Sequence, residues 1–454
     1  MSPKQVDPET AGPPLVKETL DKDLKRIGAV TSVTQSTGRR LISVGTGLFF
    51  LAIAGIFASV QIGATPNALF IIVAGVLGGY MALNIGANDV ANNVSPAVGA
   101  RALTLLGALA IAAIFESAGA LIAGGDVVST ISKGIIDPKL VDDSETFVWA
   151  MMAALLSAAL WLNLATYLGA PVSTTHSIVG GVMGSGIVAA GFGAVNWITM
   201  SKIAASWVIS PLLGGIIAAL FLSFIKINII YRDDKIAAAK RWVPLLLALM
   251  AAVFSSYLVI KGLKKVWRPE LWMVGIFGAA VFAVSLAALR PWVARRARGM
   301  ENRNQSLRIL FHVPLICSAA LLSFAHGAND VANAVGPLAA IFHSATFGEV
   351  AAKVEIPLWI MLIGAGGIAL GLFLFGPKLI RIVGQQITSM NPIRAFCVAL
   401  SAAITVIMAS ACRSAQPTRL SVRYSVSGFF VNISPVTALS AAAMCAMAEP
   451  AVTA

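Results

Sequence analysis

The residues best equipped for chemistry lie in a seven-residue string that occurs twice. Gly86-Ala87-Asn88-Asp89-Val90-Ala91-Asn92 returns unchanged as Gly327-Ala328-Asn329-Asp330-Val331-Ala332-Asn333, offset by 241 positions. Each copy ends a long apolar run, where a carboxylate and two carboxamides are costly, and an ionisable residue at membrane depth is a functional-site hypothesis by default. Asp89 and Asp330 supply hard anionic oxygens, suited to Na⁺ or a proton and not to a bare anion. Asn88, Asn92, Asn329 and Asn333 can donate to oxyanions or accept toward cations. A structural carboxylate bonded to helix ends is the plain alternative, and the doubling in matching halves counts against it.

A second constellation is Gly169-Ala170-Pro171-Val172-Ser173-Thr174-Thr175-His176. Proline interrupts a helix, and three consecutive hydroxyls stand where the next one begins. Free backbone N–H groups and the positive dipole end make such a start a ready anion site. N-capping by Ser173 or Thr174 is the alternative, but it needs one hydroxyl and not three. Glu116 lies mid-span in the 102–123 run, either as a cation ligand or proton carrier or as a helix–helix hydrogen-bond partner. His176 and His326 adjoin the motifs and read as packing or orienting residues. Ser129, Thr130, Gln385 and Thr388 are weaker candidates, in a fainter internal similarity between Val128–Ile135 and Ile380–Ile387.

The elements that must position these groups are membrane helices. Of 454 residues, 58% are hydrophobic and 12% charged, with mean hydropathy +0.85. Soluble domains carry about 25% charged residues. The net charge of +13 sits in short Lys and Arg runs between apolar segments, the positive-inside pattern and not a nucleic-acid surface. Cys317, Cys397, Cys412 and Cys445 show no C-x-x-C spacing, so no disulfide framework and no metal site is expected. No phosphate-binding loop of the G-x-x-x-x-G-K-[ST] kind occurs, which points to an ion gradient as the driving force and to no cofactor.

Apolar windows of roughly 20 residues fall near 41–60, 67–85, 102–123, 147–168, 175–192, 203–225, 243–260, 272–290, 309–326, 357–375 and 394–411. The chain divides into a polar cytoplasmic arm (1–40), an extra N-terminal span (41–66), a first repeat (67–225), central spans with a basic linker (226–308), a second repeat (309–411) and an aberrant tail (412–454). A charged loop is expected to hold Lys226, Arg232, Lys235, Lys240 and Arg241, and a six-arginine linker follows at 290–308. Counted from a cytoplasmic N-terminus, both land inside; the short 261–268 loop with its lysines is the misfit. The two motif-bearing spans then cross in opposite directions. The expected fold is an all-α polytopic membrane protein of about 11–12 spans, an inverted-topology repeat secondary transporter with broken helices. Gly and Pro bracket Gly86–Pro96 and Gly327–Pro337, so both motifs are expected to leave helical geometry.

These paired motifs, with Pro171-Val172-Ser173-Thr174-Thr175-His176, resemble the inorganic phosphate transporter (PiT) family over roughly residues 67–411. The resemblance implies symport of inorganic phosphate, free or as a metal complex, with Na⁺ or H⁺ as coupling ion, in the cell (inner) membrane. It implies that Asp89 and Asp330 with the motif asparagines bind cation and phosphate, and that Ser173, Thr174 and Thr175 complete the phosphate cradle. Alternating access around a midplane site is the expected mechanism; an intramembrane phosphoester enzyme using Asp89, Asp330 and His176 is the rival class. Assembly as a homodimer stays open. The family carries a second Pro-Val-Ser-Thr-Thr-His near its end, where this chain has Arg413, Arg419 and Arg423. Arginines cost roughly 2.5–3.5 kcal/mol each at a helix centre. A shifted reading frame over Leu420–Phe430 would restore a family-like glycine-rich segment; a tail as written implies an impaired or non-transporting product.

Overall fold

The computed structural model describes residues 18–62, 67–124, 135–136, 140–141, 143–262, 269–350, 354, 356–384 and 391–414. Thirteen helices are described: α1 (Glu18–Ile62), α2 (Ala68–Asn88), α3 (Ala91–Gly99), α4 (Leu105–Ala123), α5 (Ser144–Leu168), α6 (Thr174–Ala190), α7 (Trp197–Ile225), α8 (Lys235–Gly262), α9 (Leu271–Arg296), α10 (Asn304–Leu310), α11 (His312–Phe347), α12 (Leu358–Ile382) and α13 (Pro392–Ser414). The described residues contain no extended strand, only one bridge between Ile136 and Val195. The chain divides into two units, one ending at Phe49 and one starting at Phe50. The described part of the first is helical over 18–49, without a break at the expected boundary between arm and span. All that follows concerns the second unit.

The helices bury small residues and expose large apolar ones. On α5, Ala154, Leu155, Ala158, Ala159 and Leu162 are buried, while Trp149, Leu156, Leu160, Trp161, Leu164 and Leu168 are exposed. An apolar stripe of that extent belongs against lipid, and small inward residues let helix backbones approach. Among the described residues, nine helical segments are long and apolar enough to cross a membrane. The windows at 175–192 and 394–411 are the difference from the expected eleven. The first is α6, whose 17 residues rise about 25 Å, at the lower limit for a crossing. The second is α13, whose side chains are described only in part.

Glycines fix how the two halves meet. A Cβ on Gly86 would collide with the Ile368 carbonyl, and one on Gly371 with the Leu83 carbonyl. The same arrangement recurs in the other half: Gly327 abuts the Glu116 carbonyl, and Gly119 the Phe324 carbonyl. So α2 packs backbone to backbone on α12, and α11 on α4, with Gly86 matching Gly327 and Leu83 matching Phe324. This reciprocity is what a two-fold relation between repeats produces. Gly371→Ala should therefore destabilise the protein by at least 1–3 kcal/mol, roughly the cost of overpacking. Gly184→Ala, whose Cβ meets nothing within 4 Å, should be neutral or slightly stabilising. Thermal melts of the two variants in detergent check the contrast.

Local signals explain the joints nearest the site. Asp143 caps α5 by accepting from the Thr146 N–H, and that bond holds its carboxyl below the usual carboxylate range. α5 ends at Gly169 in the left-handed region (φ 80°), where the Ala170 N–H reaches back to Ala165 O at 2.8 Å, a glycine C-cap. The expected charged loop at 226–241 is largely absent. α7 runs on as a π-helical turn over Lys226–Ile230, Lys226 is buried, and α8 already starts at Lys235.

Candidate functional site

The doubled motif does not unwind as expected. α2 and α3 are interrupted only at Asp89 and Val90, both still in right-handed helical geometry. The second motif lies inside α11, an unbroken helix of 36 residues. The reason is that Pro96 and Pro337 sit one turn after the motifs and remove a single N–H each, the one that would bond to the carbonyl of Asn92 or Asn333. Neighbouring helices hold the rest of the coil in place.

Within this helical frame Asp89 and Asp330, both buried, converge on two side chains. The Thr174 hydroxyl donates to Asp89 Oδ2 at 2.7 Å and lies 3.4 Å from Asp330 Oδ2. One hydroxyl has one proton, so Asp89 holds it. Thr174 Oγ1 in turn accepts from Asn333 Nδ2 at 3.2 Å, and Thr175 Oγ1 accepts from the same amide at 3.1 Å. The first residues of α6 thus bridge the two motifs.

The second shared side chain is His326, which the sequence read as a packing or orienting residue. Its Nε2 lies 2.8 Å from Asp330 Oδ2 and 3.6 Å from Asp89 Oδ2, and its Nδ1 lies 3.0 Å from Glu116 Oε2. Glu116 Oε1 accepts from Asn93 Nδ2 at 2.8 Å. The result is a buried chain, Asn93–Glu116–His326, ending on both aspartates. With the Nδ1 proton directed at Glu116, Nε2 faces two carboxylates. It then carries a second proton, accepts one from a protonated carboxyl, or shares a cation with the two groups. A proton or a cation belongs in this triangle in each case. Asp89, His326 and Asp330 each offer a ligand atom, all within 4.8 Å of one another, a grouping with the geometry to hold a cation.

The remaining candidates divide. Asn92 donates to Asp89 O at 2.9 Å, and its Oδ1 is buried without a hydrogen-bond partner. Asn329 donates to Ala325 O at 2.9 Å within its own helix. Asn88 is committed elsewhere: it donates to Thr166 Oγ1 and Ala170 O, and accepts from the Val172 N–H. It clamps the turn that presents Thr174. Ser173 is an N-cap, accepting from the His176 N–H at 3.3 Å, so one of the three hydroxyls is spent on capping. His176 packs on the Trp207 ring, with centroids 4.0 Å apart. Ser129, Thr130, Gln385, Thr388 and the 415–454 tail lie outside the described residues. The missed residues are His326 and Asn93. Their signal was available: they stand one turn or less from the aspartates, opposite Glu116 on a neighbouring span.

An all-α polytopic membrane protein with two related halves, and a buried carboxylate site drawn from both, is a helical secondary transporter. Residues 85–421 match the phosphate transporter family. The chain is 49% identical over 393 residues to a Helicobacter pylori (strain 26695) protein described as "Putative phosphate permease", covering 86% of this chain and 73% of that one. A Pyrococcus horikoshii protein of like description is 39% identical over 354 residues, 76% of this chain and 84% of its own. A solved structure described as "The sodium-dependent phosphate transporter" superposes with a TM-score of 0.71 at 35% identity, over 84% of this chain and 99% of that chain. The chain belongs to the phosphate transporter family, a family of transporters and not of phosphoester enzymes.

Proposed function

We propose that the chain carries inorganic phosphate across the cell membrane together with Na⁺, by alternating access around Asp89 and Asp330. The observation that carries this reading is Thr174: one hydroxyl joins the first motif's aspartate to the second motif's asparagine. A cation held by Asp89, Asp330 and the free Oδ1 of Asn92 would offset the repulsion between phosphate and two buried carboxylates. The oxyanion would take donors from Thr175, Asn333 and the start of α6. The sodium-dependent structural relative supports Na⁺ over H⁺. The N-terminus is assigned to the cytoplasm on the distribution of basic residues.

In proteoliposomes, an inward Na⁺ gradient should drive radiolabelled phosphate uptake, and raising Na⁺ should lower the half-saturating phosphate concentration. Uptake driven equally by a pH gradient without Na⁺ would reassign the coupling ion to H⁺. Indifference to both gradients would end the symport reading. One observation favours a second reading, an impaired transporter: Arg413, Arg419 and Arg423 stand where the family pattern has an apolar helix start. Sequencing the coding segment for residues 412–454 decides it, since a single-frame match to the tail as written removes the frameshift.

A further inference from the structure

A cavity of about 260 Å³ lies away from the aspartates, between the π-helical turn after α7, helix α10 and the start of α13. Its polar lining is Lys226, Arg308, Arg394, Tyr231, Asn304 and Asn391, and no carboxylate is among its described lining residues. Lys226 is 6% exposed, and its Nζ makes no hydrogen bond. A buried ammonium without a partner is costly, and lysines are almost never buried unless paired. The π-helical turn that starts at Lys226 is a rare distortion often found at functional sites. On the third wall, Asn391 Oδ1 caps α13 by accepting from the Ile393 and Arg394 N–H groups at 3.1 and 2.9 Å. The positive end of that helix therefore faces the same space.

We propose that this cavity is a phosphate-class anion site, separate from the transport site, with Lys226 as its central ligand and Arg308 and Arg394 as flanking cations. The volume falls below the range of drug-sized pockets, roughly 300–1,000 Å³, and suits one tetrahedral oxyanion with bound water. The basic residues around it belong to the segments that positive-inside counting places at the cytoplasmic surface. There the oxyanion is available in two forms, inorganic phosphate and the phosphodiester of an anionic lipid headgroup.

Two arms separate those sources, using the full chain as wild type, Lys226→Met and Lys226→Arg. The first is equilibrium dialysis of radiolabelled inorganic phosphate against protein in neutral detergent without Na⁺. The second is native mass spectrometry of lipid retained from nanodiscs containing phosphatidylglycerol or only phosphatidylcholine. In one arm, wild type and Lys226→Arg should hold one anion per chain, and Lys226→Met should bind it at least tenfold more weakly. A positive phosphate arm identifies the free ion, and a positive phosphatidylglycerol arm the headgroup. Without anion, Lys226→Met should melt at or above wild type, because it removes an unpaired buried charge. Equal retention by all three proteins in both arms overturns the proposal, as does a lower melting temperature of anion-free Lys226→Met.

Discussion

Asp89→Asn and Asp330→Asn should each cut phosphate uptake on the order of a hundredfold, at unchanged protein level in the membrane. Both changes keep the side-chain volume and one acceptor oxygen, so packing is preserved and the charge alone is lost. Removing one partner of a buried charged pair costs roughly 3–5 kcal/mol, and each 1.4 kcal/mol is about tenfold in affinity. The two variants should fail differently. Asn at 89 offers the Thr174 hydroxyl, which now donates to a carboxylate at 2.7 Å, only a neutral and weaker acceptor, and so loosens the link to α6. Asn at 330 withdraws the carboxylate 2.8 Å from His326 Nε2 and leaves the α6 contact largely in place. Radiolabelled uptake in vesicles, with the two variants side by side, checks this. Wild-type rates from both would remove the aspartates from the mechanism.

Glu116→Gln should lower uptake about 10–100-fold, the range typical when a group that orients a metal-site histidine is removed. Glu116 touches neither aspartate in the hydrogen-bond network; it acts through His326. The substitution replaces one carboxylate oxygen by an NH₂, and either orientation weakens the hold on the imidazole or on Asn93. A structural role alone would lower the amount of folded protein. A positioning role shows instead as a rise in half-saturating Na⁺ at normal expression, and as strong non-additivity with His326→Asn. Additive losses in the double variant would mean that the two residues act independently.

Much of this was legible in the chain before folding. The duplicated string identified the aspartates, because a costly residue written twice in an apolar sequence has few explanations. Composition and charge distribution identified the membrane and nine of the eleven spans. The errors share a cause. The string Gly-Ala-Asn-Asp looks like a helix breaker in isolation, yet α11 runs through it because α4 and α12 pack around the coil on both sides. Lys226 read as a loop residue, because a local window cannot see the cavity that α10 and α13 close around it. His326 looked incidental because its partners, Glu116 and Asp89, are more than 200 residues away in the chain. Of the three hydroxyls in a row, Ser173 caps α6, while Thr174 and Thr175 bond to the motif side chains.

The glycine contacts give each residue of one half a counterpart in the other. By that matching, His326 corresponds to Ile85, Glu116 to Ile368 and Asn93 to Ala334. One contact between the halves carries a polar chain drawn from both, where its symmetry-related counterpart carries three apolar side chains. In a transporter whose halves trade conformations, identical repeats would make the inward-facing and outward-facing forms equal in free energy. On the proposed alternating-access reading, the polar chain at one of the two related contacts removes that equivalence. A difference of about 1.4 kcal/mol is a tenfold preference. On that reading the unloaded carrier should rest facing one side of the membrane.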